Sequence, residues 1–281
     1  MKRIFRLLVE FLLDSYALLF ARKSLFKLNL LLFQFSLRGM GVLNYKNDKL
    51  SGEDFFIKKI SKMLNGSIVI DVGANIGNYS NMIRNSAKDA KIYSIEPHPT
   101  TFKKLKSQSF EHNYSAFNIA FGDTDGELQL YDYESKDGSS HASLYQGVFS
   151  EIHKSDSVSH SVQVTTLDAF VKNHDIDEIT LLKIDTEGNE LKVLLGAKQL
   201  ITNKLVDVIH LEFNEMNVFS RVFFHDLQDI LRGYCMYRML PSGLLKLSNY
   251  SPILYEIFAY QNIVAIRKDK LNIIGQYINI E

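Results

Sequence analysis

Apolar residues in this chain fall into short runs that polar or glycine-containing turns interrupt. The β-branched run Ile68–Val72 is typical of a buried strand, and it ends in a turn with two glycines before a helical pattern begins. An earlier run has helical spacing and ends at Gly66. Further strands are predicted at 90–95, 114–120, 127–131, from 162, and at 181–184, 206–213 and 261–266. The pattern predicts one α/β domain with an appendage.

The turn after the first predicted strand reads Asp71-Val-Gly73-Ala74-Asn75-Ile-Gly77. Glycine lets a ligand approach the main chain closely, and the amides that open the next helix, from Asn78 onward, are unpaired donors. The turn differs from the dinucleotide fingerprint Gly-x-Gly-x-x-Gly because Asp71 stands where a pyrophosphate favours a donor or a neutral glycine. A carboxylate suits a cation. We therefore predict a nucleoside ligand with a positive group; a plain turn of another α/β domain is the alternative.

A second acid follows the next predicted strand. Glu96 lies 25 residues beyond Asp71, and Pro97 and Pro99 fix the loop after it. In doubly wound sheets an acid about 20 residues past the glycine turn accepts hydrogen bonds from ribose hydroxyls. We predict this role for Glu96, with a solvated strand-end acid as the alternative.

Two loops further along the chain carry candidate residues. Gly122 and Asp123 lie in a turn that we expect to flank the adenine. His141 lies in a small polar segment of the kind that covers functional sites, and it is a candidate base. A lone loop histidine is more often solvated.

A second landmark repeats the strand-and-turn arrangement. The strand Leu181–Ile184 delivers Asp185, and the turn after it carries Glu187 and leads to Glu190. Three acids within six residues are costly unless a cation or sugar hydroxyls meet them. Glu187 and Glu190 are equally suited to the positive end of a helix. Glu212, near the end of the 206–213 strand, adds another acid to the same edge.

Residues 1–38 are rich in Leu and Phe, yet charges recur among them. A membrane-spanning helix needs about 20 predominantly apolar residues, and no uncharged run here is that long. A signal peptide is disfavoured because Glu10 and Asp14 interrupt the apolar run. Seven basic residues against two acidic ones leave the segment positive. We favour helices that pack on the domain or in a homo-oligomer over a basic segment on an anionic membrane surface.

The boundary of this helical arm is predicted near residue 50. Residues 1–49 form the arm, and residues 50–281 form the main domain, with its core at about 66–267. Lys+Arg and Asp+Glu are equal at 32 each, which gives no field that favours nucleic acid. A single cysteine, Cys235, excludes an intramolecular disulfide and a cysteine-based zinc cluster. These features fit a reducing, cytoplasmic location.

The landmarks together resemble the FkbM-type S-adenosylmethionine-dependent methyltransferases. The resemblance spans roughly residues 50 to 267, and its most specific piece is the stretch Lys183-Ile-Asp185-Thr-Glu187-Gly-Asn-Glu190. It implies a Rossmann-like, class I sheet of seven mostly parallel strands with helices on both faces. It also implies methylation of hydroxyl oxygens on sugars, as in polysaccharide biosynthesis, or on secondary metabolites. It implies that Asp71, Gly73, Asn75 and Gly77 belong to the methionine-binding turn and that Glu96 is the ribose acid. We also expect donor contacts from Ala74, Asn78, Pro97, Gly122, Asp123 and Asp185.

For the chemistry, we expect Asp185 to act as the base or as a cation ligand. Glu187 and Glu212 would orient a small-molecule or glycan acceptor. A divalent metal with oxygen ligands is an open alternative. Two other classes of protein remain as rivals: a non-catalytic nucleoside-binding module, and a nicotinamide-dependent oxidoreductase, which the missing three-glycine fingerprint disfavours.

Overall fold

The computed structural model describes residues 2–133, 138–139, 142–144 and 154–278. The helices are α1 Lys2–Phe20, α2 Phe26–Gly39, α3 Asp48–Ser51, α4 Glu53–Leu64, α5 Asn78–Ser86, α6 Pro99–Glu111, α7 Leu167–Asn173, α8 Glu190–Leu195, α9 Lys198–Thr202, α10 Met216–Ser220, α11 Phe224–Ile230, α12 Pro252–Tyr255 and α13 Leu271–Ile274. The strands are β1 Ile68–Val72, β2 Lys91–Ile95, β3 Ser115–Phe117, β4 Ala120–Phe121, β5 Gly126–Tyr133, β6 Ser157–Thr165, β7 Ile179–Ile184, β8 Val206–Phe213, β9 Tyr234–Leu240, β10 Gly243–Lys246 and β11 Gln261–Arg267.

Eight of the described strands form one sheet in the order β10-β9-β11-β8-β7-β1-β2-β3. The pairs from β8 through β3 are parallel, whereas β11 is antiparallel to both of its neighbours. The fold class is confirmed: this is an α/β protein with a mostly parallel sheet. The sheet has one strand more than the seven expected, because β10 pairs with β9 at its outer edge.

Alternate residues of the central strands face two separate cores. Val69 packs with α4 and α5 on one face, and Ile70 packs with α7, α8 and α11 on the other. Leu181 and Leu182 in β7 divide in the same way, as the two-residue period of a strand requires. This double burial explains why the central strands are almost uniformly apolar. Helices on both faces match the expectation.

The single strand predicted at 114–120 is divided between two sheets. β3 pairs with β2 in the main sheet, and β4 pairs with β6 in a three-stranded sheet of order β4-β6-β5. The chain changes sheet at Asn118, whose side-chain amide donates to the carbonyls of Glu96 and Pro97 at 2.9 and 2.8 Å. These two bonds fix the carboxyl end of β2, where the candidate site lies.

The N-terminal helices do not pack on the main domain. None of the α1 side chains from Arg3 to Phe20 is buried, and α2 buries only Leu37, at its last turn. The expected packing on the domain is therefore wrong for these helices.

No described helix combines the length and apolar character that crossing a bilayer requires. The division at residue 50 stays a prediction, and α3 crosses it.

Candidate functional site

A cavity of about 620 Å³ opens at the carboxyl ends of β1, β2, β7 and β8. Its volume lies within the range of roughly 300–1,000 Å³ that is typical of small-molecule sites. Parallel strands bring their carboxyl ends to one edge, where ligands of such sheets bind. Predicted site residues that line the cavity are Gly73, Ala74, Asn75, Asn78, Glu96, Pro97, Asp185, Glu187 and Glu212.

The turn after β1 takes a backbone path that favours glycine. Gly73 has a φ of +79°, and its amide and that of Ala74 both donate to the carbonyl of Ile95 at 2.9 Å. A Cβ at Gly73 would overlap the carbonyl oxygen of Asp185. The missing side chain therefore lets the loops after β1, β2 and β7 meet at one point.

We expect Gly73→Ala to lower the free energy of unfolding by at least about 2 kcal/mol, since it adds backbone strain and a steric overlap. The matched control is Gly66→Ala, because Gly66 also has a positive φ, +71°, but no atom within 4 Å of the added Cβ. Chemical denaturation of both variants separates the two contributions. Equal losses in the two variants would show that the contact with Asp185 is unimportant.

Glu96 joins the ends of β1 and β2. One carboxylate oxygen accepts a hydrogen bond from the amide of Asn75 at 2.9 Å, and the other accepts one from the amide of His98 at 2.8 Å. The side chain lines the cavity although Glu96 is only 7% exposed. Burial raises the pKa of Glu96 to about 7. The carboxyl group is thus fixed in position and retains lone pairs for a ligand.

Asp71 and Gly77 lie beneath the cavity rather than on its wall. Asp71 is fully buried, and its carboxylate accepts a hydrogen bond from the hydroxyl of Ser80 at 2.7 Å. Burial raises the pKa of Asp71. Gly77 leaves room for the hydroxyl of Tyr114. Both residues therefore support the turn from below the cavity wall, and their predicted role in donor binding stays a prediction.

Lys183, for which the sequence predicted no role, is the central cation of the site. Its Nζ lies 2.8 Å from the carboxylate of Asp185 and 5.0 Å from the centroid of the Tyr79 ring. Burial alone would lower the pKa of Lys183, but Asp185, Asp71 and Glu53 outweigh burial and raise this pKa above its ordinary value. The feature of the sequence that could have indicated this role is a charged residue inside the otherwise apolar strand β7.

The remaining acids at this edge divide into two groups. Asn214 donates to Glu187 at 3.1 Å and to Glu212 at 2.6 Å, so its amide holds these two carboxyl groups together on the cavity wall. Burial raises the pKa of Glu212 well above its ordinary value, and Asp185 and Glu187 raise it further. Glu190 instead turns back and accepts hydrogen bonds from the amides of Thr186 and Gly188. It has the helix-end role that was the alternative for this residue.

One wall of the cavity comes from segments that carried no signal in the sequence. Tyr45 and Glu53 precede β1, and Tyr260 precedes β11. The rings of Tyr45 and Tyr260 meet edge to face, with 6.0 Å between their centroids. Burial raises the pKa of Glu53 to about 7. Only the tertiary fold brings these residues together.

Gly122 and Asp123, like Asp71 and Gly77, do not line the described cavity. The amide of Gly122 donates to the carbonyl of Thr165 at 3.1 Å, which ties this turn to β6, and Asp123 is exposed. The cavity wall near this turn is instead formed by Ala120 and Phe121. His141 lies outside the described residues.

The described residues give no support for a metal site. Within 2–133, 138–139, 142–144 and 154–278, no group of three or more His, Cys, Asp and Glu side chains is arranged to hold a metal ion. The acids of the cavity wall are instead bonded to Lys183, Asn214 and backbone amides.

Two curated proteins are similar in sequence. "Methyltransferase 1" from Beauveria bassiana is 27% identical over 179 residues, which cover 56% of this chain and 71% of that protein. "Hexuronic acid methyltransferase AglP" from Haloferax volcanii is 24% identical over 143 residues, which cover 50% of this chain and 52% of that protein. The chain thus spans only about half the length of the Haloferax relative.

Two solved structures show a partial likeness. Methyltransferase FkbM from Methylobacillus flagellatus KT gives a TM-score of 0.42 at 12% identity and covers 83% of this chain and 59% of that chain. Precorrin-6y C5,15-methyltransferase from Geobacter metallireducens GS-15 gives 0.40 at 10% identity, covering 77% and 88% respectively.

The family model described as the methyltransferase FkbM domain matches residues 71–239. The match begins at Asp71, at the end of β1, includes the second landmark at Lys183–Glu190, and ends in β9. It covers more than half of the sequence. The chain is therefore a member of the FkbM methyltransferase family.

Proposed function

We propose that the protein transfers a methyl group from S-adenosylmethionine to a hydroxyl oxygen of a sugar, a glycan or a secondary metabolite. The family establishes a methyltransferase domain. The name of the Haloferax relative specifies a sugar acid as its substrate, which supports a sugar acceptor. The observation that carries the proposal is Glu96, a buried carboxyl group fixed by Asn75 at the junction of two strand ends and aimed into the cavity.

The residues of the cavity fit this donor. Glu96 keeps lone pairs that suit a pair of ribose hydroxyls, and the turn Gly73–Asn75 offers close approach to the backbone. Phe121 gives an apolar wall for a base. The donor supplies an activated methyl group on a positively charged sulfur, and the surrounding carboxyl groups favour a cation there.

For the acceptor, the chain supplies a base and a means of orientation. Asp185 lies at the end of β7, and Lys183 holds it in place at 2.8 Å. We assign to Asp185 the removal of the hydroxyl proton, which contributes roughly 10²- to 10⁴-fold in such reactions. Glu187 and Glu212, joined by Asn214, are placed to accept hydrogen bonds from the acceptor's other hydroxyls.

The charge of the cavity favours an uncharged acceptor. Among the described lining residues, Lys183 is the one lysine or arginine, and its Nζ is already paired with Asp185. Acids on the same wall include Glu53, Glu187 and Glu212. An acidic sugar would meet further acidic groups there and no unpaired cation among the described lining residues, so a neutral sugar or polyol is the better fit.

Binding and turnover test the proposal separately. Titration calorimetry should show binding of S-adenosylhomocysteine, the demethylated product, and no binding of NADH. A methyl-transfer assay should then show incorporation into neutral glycans in preference to hexuronic acid glycans. Binding of NADH alone would identify an oxidoreductase, and donor binding without transfer to any acceptor would identify a non-catalytic module.

We expect Glu96→Gln to weaken S-adenosylhomocysteine binding by about 10- to 100-fold, because charge-assisted hydrogen bonds to the ribose are lost. The new amide must also turn its NH₂ group toward the amide of Asn75 or His98. Since the pKa of Glu96 is about 7, wild-type affinity should rise as the pH increases through that value, and the variant should lack this rise. The control is Glu111→Gln, an exposed position at the end of α6. Equal affinities in the three proteins would exclude Glu96 from donor binding.

A further inference from the structure

The two N-terminal helices, α1 and α2, expose apolar side chains over most of their surface. Phe5 is 71% exposed, Leu18 80% and Phe35 62%. Such exposure over a continuous surface marks a site of protein or membrane contact. The other large apolar residues that are exposed here are Ile4, Leu7, Leu8, Val9, Phe11, Leu12, Leu13, Tyr16, Leu19, Phe20, Phe26, Leu28, Leu30, Leu31, Leu32 and Phe33.

The two helices form a defined pair. The hydroxyl of Tyr16 donates to the side-chain oxygen of Asn29 at 2.6 Å, and the side-chain nitrogen of Asn29 donates to the carbonyl of Phe20 at 2.9 Å. The rings of Tyr16 and Phe20 stack with 4.7 Å between their centroids. Polar atoms therefore face one another at the crossing, and apolar side chains face outward.

The charges of this helix pair complement an anionic surface. Residues 1–38 contain seven basic and two acidic residues, although the whole chain is neutral. One of the two acids, Glu10, is paired with Arg6 at 2.9 Å. Arg22, Lys23 and Lys27 are exposed together at the connection between the helices. A second copy would bring like charges together, whereas anionic headgroups would neutralise them.

A short stem attaches the helix pair to the cavity wall. Leu37 and Val42 are buried in the domain, and the amide of Leu43 donates to the carbonyl of Tyr260 at 2.8 Å. A Cβ at Gly41 would overlap the carbonyl of Met239, so the stem lies directly against β9. Because Tyr260 also lines the cavity, the position of the helices and that of the cavity are linked.

We propose that α1 and α2 lie on the surface of a membrane that contains anionic lipid. Their apolar side chains enter the boundary between headgroups and acyl chains, and the basic residues contact the headgroups. Neither helix crosses the bilayer. The stem then holds the cavity near the membrane surface. This inference is independent of the proposed reaction, since it concerns lipid binding alone.

Vesicle flotation with the full chain tests this proposal. The protein should float with vesicles of phosphatidylcholine and phosphatidylglycerol, and at least about tenfold less with phosphatidylcholine alone. The triple variant Arg22→Gln, Lys23→Gln, Lys27→Gln should lose at least about tenfold of its partitioning. The matched control neutralises three exposed lysines of α6, Lys103, Lys104 and Lys106, and should float like the wild type.

The apolar contribution has its own control. Phe11→Ser with Leu18→Ser should reduce partitioning, whereas Phe110→Ser with Ile253→Ser should leave it unchanged, although Phe110 and Ile253 are 92% and 86% exposed. All four positions are exposed, so none of these changes disturbs a core. The proposal is overturned if the wild type stays with the lipid-free fraction, or if the arm variants and their controls float equally. A lipid-free dimer that Phe11→Ser with Leu18→Ser converts to a monomer, without any flotation, would instead assign this surface to a second copy.

Discussion

Replacing Asp185 with Asn is expected to lower kcat by about 10²- to 10⁴-fold, because the neutral amide does not take up the proton of an acceptor hydroxyl. Affinity for S-adenosylhomocysteine should change far less, since Asn keeps the shape of Asp and an oxygen that accepts from Lys183. This product lacks the positive sulfur of the donor, so its binding reports on shape more than on charge. Single-turnover kinetics and calorimetry on the same preparation measure the two effects. Full activity of Asp185→Asn would remove Asp185 from the mechanism.

Glu212→Gln distinguishes Asp185 from the other carboxyl group that is suited to act as a base. Burial and the neighbouring acids raise the pKa of Glu212, so glutamine resembles its protonated form. If Asp185 is the base, Glu212→Gln lowers kcat by no more than about tenfold, through poorer orientation of the acceptor. If Glu212 is the base, Glu212→Gln lowers kcat more than Asp185→Asn does. Wild-type kcat would then also increase as the pH rises through the pKa of Glu212.

The sequence predicted those parts of the fold in which local pattern and tertiary environment agree. β1, β8 and β11 were predicted to within one residue, because strands buried on both faces need continuous apolar runs. The expected strand at 114–120 was inaccurate because its division depends on Asn118 bonding to the distant loop after β2. The helices of the arm have clear patterns, but a pattern does not tell whether an apolar face meets the domain, another chain or a membrane. The structure excludes only the first of these.

In the candidate site, too, the residues that a local pattern indicates were predicted, and those that only the tertiary fold brings together were not. Glu96, Asp185 and Glu212 were predicted because each lies at the carboxyl end of an apolar strand, and parallel strands bring these ends to one edge. Their functional roles stay predictions. Tyr45 and Glu53 were missed because their place on the wall depends on contacts with residues about 200 positions away, such as Tyr260. The position of Asp71 below the cavity wall was not foreseen, because alternation along β1 turns its side chain toward Ser80.

Replacing Lys183 with Met is expected to lower the free energy of unfolding by about 3–5 kcal/mol at neutral pH, because it removes the cation from a buried cluster of acids. Asp71 is fully buried, and Lys183 lowers the pKa of both Asp71 and Glu53. Methionine preserves the packing against Tyr79 but leaves these carboxyl groups without a positive partner. The matched control is Lys91→Met, an exposed lysine at the start of β2, with an expected change within about 0.5 kcal/mol.

The pH dependence of this loss identifies its cause. The folded-state pKa of Glu53 is about 7, above its ordinary 4.5, so its contribution to stability is present below 4.5 and is lost as the pH rises through about 7. Without Lys183 the pKa values of Glu53 and Asp71 rise further, so the variant goes on losing stability at pH values above those at which the loss in the wild type is complete. The difference between the two proteins should therefore be small near pH 4.5 and largest above pH 7. Adding Asp71→Asn to Lys183→Met should recover part of the loss, since it removes the most buried unpaired charge. A loss that is equal at all pH values, and that Asp71→Asn does not reduce, would show that Lys183 acts through packing rather than through its charge.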